Sequence, residues 1–89
     1  MEQTPDVIEA KALEKYFIYL KFSNGEEKIF DMKETIEKIE FFKKLKERKY
    51  FENVKPRGDT IEWENGEDVA PENLYYNSFP IKDRERRKS

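Results

Sequence analysis

Two Asn-Gly pairs constrain this chain more than any other feature. Phe22-Ser23-Asn24-Gly25-Glu26-Glu27 closes the alternating run over residues 16–22, and Trp63-Glu64-Asn65-Gly66-Glu67-Asp68 closes the run over residues 60–64. Asn-Gly between such runs is the strongest short hairpin signal, because a two-residue type I′ loop needs positive φ at both central residues. Antiparallel pairing is therefore expected twice. The likeness of the two turns is explained by convergence on a favoured loop, with internal duplication as the alternative.

The strands around these turns follow from period-two alternation. Residues 6–13 read as a first strand, and Glu14-Lys15 as a turn. In the next strand Tyr16, Ile18, Leu20 and Phe22 share one face while Phe17, Tyr19 and Lys21 share the other. Residues 27–31 return, with Ile29 or Phe30 inward. Residues 54–57 form a short edge strand containing Pro56, Gly58-Asp59 turns, and residues 60–64 place Ile61 and Trp63 together. Residues 67–70 are expected to return from the second Asn-Gly turn.

Between the hairpins the period changes. Met32, Ile36, Ile39, Phe42 and Leu45 recur at steps of three and four, the mark of an amphipathic helical stripe. Asp31 and Glu34 are spaced as a capping box. The stripe slips at Phe41-Phe42, which predicts two or three short helical pieces, the last ending at Tyr50 and Phe51. Pro71 suits the first turn of a further helix over residues 71–76. The expected fold is α+β: a small two-layer domain, with a twisted antiparallel sheet of five to six short strands packed on two or three short helices. Residues 1–78 make the single domain, and residues 79–89 a basic C-terminal tail expected to be flexible.

Composition enters as a test of whether this folds at all. Of the 89 residues 43% are charged and 36% hydrophobic, which approaches the disordered regime. Aromatic residues make up 15%, and each buries roughly 150–250 Å². The charges are nearly balanced, at 18 basic and 20 acidic, so a thin aromatic core is expected to hold. The balance conceals a split. Residues 1–81 contain 13 basic and 18 acidic side chains, whereas residues 82–89 contain five basic and two acidic.

Several function classes lose their usual means. With neither Cys nor His, disulfides, thiol nucleophiles, His-based triads and His- or Cys-ligated zinc are excluded. Only Gly25, Gly58 and Gly66 are present, each assigned to a turn, so no phosphate-cradling glycine loop exists. Glu62 and Glu64 share a strand face but read as a solvated pair. The chain is expected to be non-enzymatic, with no cofactor and no metal. Nor does any run approach the ~20 apolar residues of a membrane span, and residues 1–10 carry acids where a secretion signal needs a basic start. A cytoplasmic location is expected.

Binding is the better use of this surface. Phe17 and Tyr19, opposite the core face of their strand, are candidate partner contacts, as are Tyr75 and Tyr76, because exposed aromatics are enriched in interfaces. That face is either open to a partner or covered by the C-terminal segment through Tyr75, Tyr76 and Phe79. Arg84, Arg86 and Arg87 in the tail are candidate contacts for an acidic partner or for nucleic acid. The Lys43, Lys44, Lys46, Arg48 and Lys49 cluster reads as a solvated helix face diluted by Glu40, Glu47 and Glu52.

The run from Thr60 through Trp63-Glu64-Asn65-Gly66-Glu67-Asp68-Val69-Ala70-Pro71-Glu72-Asn73-Leu74-Tyr75 resembles the C-terminal signature of domain-of-unknown-function family 2442. The first Asn-Gly turn, Asp31, Phe42, Leu45, Phe51 and Val54 extend the resemblance over residues 6–76. Arg48 departs from it, since many relatives carry Pro there. The resemblance implies a small bacterial α+β domain. It also implies an adaptor encoded beside a second small protein, in a toxin–antitoxin-like or regulatory pair. Some relatives carry an added helix-turn-helix, absent here, and others resemble inhibitors of Cas nucleases. The expected function is thus a protein-binding module, and the alternative is a nucleic-acid-associated protein or nuclease inhibitor acting through the basic tail or the acidic body.

Overall fold

The computed structural model describes residues 4–81. Six strands divide into two antiparallel sheets. The larger has the order β1 (Val7–Ala12), β2 (Phe17–Phe22), β3 (Glu27–Asp31), β6 (Phe79–Pro80); the smaller pairs β4 (Lys55–Arg57) with β5 (Thr60–Glu62). The Val7 N–H donates to the Gly58 carbonyl at 2.9 Å, which sets the small sheet against the open side of β1. The expected α+β architecture is observed, with the strands split four and two.

Both Asn-Gly hairpins form, with a different loop from the one expected. Gly25 and Gly66 have φ of 92° and 97°, while no Asn has positive φ. The Gly25 N–H donates to Phe22 O and the Gly66 N–H to Trp63 O, each at 2.9 Å. Phe22 and Trp63 in turn donate to the Glu26 and Glu67 carbonyls at 2.9 Å. This is a three-residue loop in which a tight turn is followed by a left-handed glycine bulge, so one positive φ replaces two. Beyond the second turn the expected return strand shrinks to one bridge, Glu62 to Asp68, because residues 67–70 turn away into the next helix.

The helical stripe breaks into three pieces: α1 (Lys33–Lys38), a 3₁₀ segment (Glu40–Lys46) and α2 (Arg48–Phe51). Met32, Ile36, Phe42 and Leu45 are buried as expected, but Ile39 is exposed. Ile39 is extended (φ −112°, ψ 116°), so the helical phase restarts after it. The 3₁₀ segment then has three residues per turn, which stacks Phe42 on Leu45. The capping box does not form. Met32 occupies the cap position without a side-chain bond, and the Asp31 carboxylate accepts the Lys33 N–H at 2.9 Å. Glu14–Tyr16 make a 3₁₀ turn in which Lys15 and Tyr16 have positive φ, so Tyr16 lies outside β2. α3 (Pro71–Asn77) begins on its proline.

One core fills the space between the large sheet, the helical pieces and β5. Ile18, Leu20 and Phe22 of β2 meet Met32, Leu45, Phe51, Ile61, Trp63 and Leu74 there. Trp63 is its largest member: the indole stacks on Phe51 at 5.9 Å, and its N–H donates to the Phe51 carbonyl at 2.8 Å. Burying about 200 Å² of ring while pairing the N–H makes this a strongly stabilising site.

The expected domain boundary at residue 78 falls just before β6, whose Phe79 and Pro80 pair with Ile29 and Lys28. Residues 82–89 lie outside the described residues. Among those described, no helix is long and apolar enough to cross a membrane.

Candidate functional site

The cross-strand register decides which side chains meet on the face of the large sheet turned from the core. Residues directly opposite in antiparallel strands share a face. Lys11 pairs with Tyr19, Tyr19 with Ile29, and Ile29 with Phe79, so one row runs across all four strands. Phe17, two residues from Tyr19, adds to the row on the Asp31 side. Glu9, Lys21 and Glu27 form a charged row beside it. Neither Phe17, Tyr19, Ile29 nor Phe79 belongs to the core cluster. Phe17 and Tyr19 are half-buried, Phe79 is 50% exposed, and Ile29 is shielded between its neighbours. Burial among these side chains, followed by the charges of Glu27 and Glu9, holds the Tyr19 phenol above its usual range.

Tyr75 sits elsewhere. Leu20 pairs with Lys28, which puts Lys28 on the core face. Tyr75 reaches that side from α3, its ring edge-on to Phe22 at 5.0 Å and 3.9 Å from the Lys28 Nζ. Lys28 is buried, and its Nζ donates to the Tyr75 carbonyl at 2.7 Å, at the end of a helix where a cation is favourable. The Tyr75 hydroxyl donates to the Glu26 carboxylate, and the Asn24 amide donates to the same oxygen at 2.8 Å. Accepting these two bonds lowers the Glu26 pKa, the Tyr75 contribution being the larger; the bond to Glu26, then burial, raises that of Tyr75. Tyr76 is exposed and edge-on to Tyr75 at 5.1 Å.

The four expected aromatic contacts therefore do not form one surface. Phe17 and Tyr19 share the outer face, whereas Tyr75 closes the first hairpin on the core side with Tyr76 beside it. The expectation that Tyr75, Tyr76 and Phe79 cover the outer face together does not match this placement. Tyr75 packs under the sheet, and Phe79 lies alongside Ile29 in the same row. Arg84, Arg86 and Arg87 lie outside the described residues. Sequence reasoning had Phe79 on this face only as one of two alternatives, and left open whether Ile29 or Phe30 points inward. Their alternation was visible, but nothing local specifies that residue 79 pairs with residue 29. Sequence reasoning missed Phe41, 60% exposed at the helical break.

A second clamp mirrors the first. The Tyr50 hydroxyl of α2 donates to the Glu67 carboxylate at 2.6 Å and accepts the Asn65 N–H at 2.7 Å. Burial, then the bond to Glu67, raises the Tyr50 pKa. Glu62 bonds Arg57 at 3.2 Å and Glu64 is exposed, so that strand pair does not converge.

Fold and surface together define a small α+β domain with two tyrosine-clamped hairpins and one aromatic row on its outer sheet face. The model of a family described as "Protein of unknown function (DUF2442)" matches residues 7–80, and the chain belongs to that family. No curated protein and no solved structure matches it.

Proposed function

We propose that this domain is a non-enzymatic protein-binding module whose contact surface is the outer face of the large sheet. One observation carries the reading: Phe17, Tyr19, Ile29 and Phe79 stand together on a face outside the main core cluster. Aromatic anchors bordered by charges are the usual anatomy of an interface, with the ring cluster supplying affinity and the charged margin orientation. Here Glu9, Lys21 and Glu27 form that margin. The family resemblance supports a small, neighbour-encoded protein as the partner, and a cytoplasmic setting goes with that reading.

The test compares tagged wild-type chain with a Tyr19→Ser/Phe79→Ser variant, both produced in the native host. A polypeptide recovered in stoichiometric amount with the wild type and lost from a variant of comparable melting temperature supports the reading. Recovery of the bare chain from both, or equal recovery of the same polypeptide, overturns it.

A further inference from the structure

In an Asn-Gly pair the side-chain amide lies open to attack by the backbone nitrogen that follows it, because glycine has no Cβ to shield that nitrogen. The two pairs in this chain sit in the same loop. Gly25 and Gly66 have φ of 92° and 97°, and nothing lies within 4 Å of the place a Cβ would take at either. Each glycine N–H is tied to a backbone carbonyl at 2.9 Å, Gly25 to Phe22 and Gly66 to Trp63. Asn24 and Asn65 are both exposed. Access to the glycine nitrogen and the cost of freeing it are therefore matched.

The asparagine side chains are not held alike. Asn24 Oδ1 accepts the Glu26 N–H at 3.0 Å, and its amide donates to the Glu26 carboxylate at 2.8 Å. The Tyr75 hydroxyl holds that carboxylate in place. At the second turn the equivalent carboxylate, Glu67, is buried and bonded to the Tyr50 hydroxyl at 2.6 Å. It is drawn inward, and among the described residues the Asn65 side chain has no hydrogen-bond partner. Asn65 is held through its backbone N–H, which donates to Tyr50 at 2.7 Å. That bond fixes the atom on the far side of the Asn65 Cα and leaves rotation about Cα–Cβ free.

We propose that Asn65 is a deamidation site that the folded domain leaves open, while the first hairpin protects Asn24. The Gly66 nitrogen, deprotonated by hydroxide, attacks Asn65 Cγ. The N–Cγ bond forms, the Cγ–Nδ2 bond breaks, and ammonia leaves with a proton from water, giving a succinimide ring. Water then opens the ring at either carbonyl, leaving aspartate or isoaspartate, so the net reaction consumes one water and releases one ammonia. At Asn24 the same ring closure must first give up both bonds to Glu26. The isoaspartate form adds a methylene to the main chain inside the loop that closes on Trp63, the largest core side chain. This modification is independent of whether the aromatic row binds a partner.

Peptide mapping by mass spectrometry tests this on the full chain, incubated in mildly alkaline buffer and sampled over time. Asn65 should convert about tenfold faster than Asn24, the factor that one charge-assisted hydrogen bond supplies. In concentrated urea, where neither side chain is tethered, the two rates should come together. Glu26→Ala should speed Asn24 several-fold and leave Asn65 unchanged. Gly66→Ala should slow Asn65 alone. Equal rates in the folded chain, faster loss of Asn24, or protection of both sites relative to urea overturn the proposal. So does a Glu26→Ala variant in which Asn24 reacts no faster than in the wild type.

Discussion

The two Asn-Gly hairpins share a turn and differ in their surroundings. In both, a glycine at φ near 95° closes a three-residue loop, and a tyrosine from a later helix or an earlier one donates to the glutamate after that glycine. At the first hairpin this glutamate, Glu26, is exposed and also receives Asn24. At the second, Glu67 is 5% exposed, and Tyr50 additionally satisfies the Asn65 N–H. The same pair of groups therefore does different work. At the surface water competes for each partner, and the clamp adds little beyond positioning. In the interior, removing the tyrosine hydroxyl leaves a carboxylate and an amide short of a partner, and the cost is that of desolvation.

The largest test of this contrast is Trp63→Ala. It empties the space against Phe51 and leaves the Phe51 carbonyl with only the longer bond from the Val54 N–H at 3.3 Å, and should cost about 3–5 kcal/mol in denaturant unfolding. Next comes the pair Tyr50→Phe and Tyr75→Phe. The first should lose about 2–3 kcal/mol, the second about 1 kcal/mol or less. Equal losses would break the comparison, because burial would then not be what separates the clamps. Gly25→Ala and Gly66→Ala sharpen it from the other side. No atom lies within 4 Å of an added Cβ at either glycine, so only the left-handed backbone is strained. Both should cost about 1–2 kcal/mol, equally.

The pH dependence separates the clamps further. Glu26 is lowered by its bonds, so its contribution is present above the ordinary carboxylate range and lost as pH falls through the folded-state pKa. Tyr50 and Tyr75 are raised, so their contributions are full below the ordinary phenol range and lost as pH rises through the folded-state values. Tyr75→Phe should therefore flatten both the acid and the alkaline limb of melting temperature against pH, whereas Tyr50→Phe should flatten the alkaline limb. The smallest expected effect is Phe41→Ser. Its ring touches Phe42 at 5.1 Å but is mostly in solvent, so stability should stay within about 0.5 kcal/mol of wild type.

Much of this fold is legible residue by residue. The hairpins are local chemistry: Asn-Gly closes the chain wherever alternating runs flank it. The alternation in residues 17–22 assigns faces without knowledge of the rest, and Pro71 marks a helix start. Errors arose where a local pattern had more than one geometric solution. A glycine bulge meets the same sequence as a type I′ loop, and Ile39 fits a continuous helix that the chain does not keep. The site was legible in half: Phe17 and Tyr19 were readable as an outer pair, while Ile29 and Phe79 joined them only through strand pairing.

What the sequence determined by itself, then, is the set of elements, the two turns, the inward face of β2 and the exclusion of thiol and imidazole chemistry. These depend on backbone preferences and on side chains a few positions apart. The tertiary structure decided that Lys28 is buried under Tyr75, that one clamp is wet and the other dry, and that β6 completes an aromatic row. Those outcomes join residues 47 to 50 positions apart, or set how much water reaches a carboxylate. No short-range preference encodes either, because both depend on how the layers close over one another.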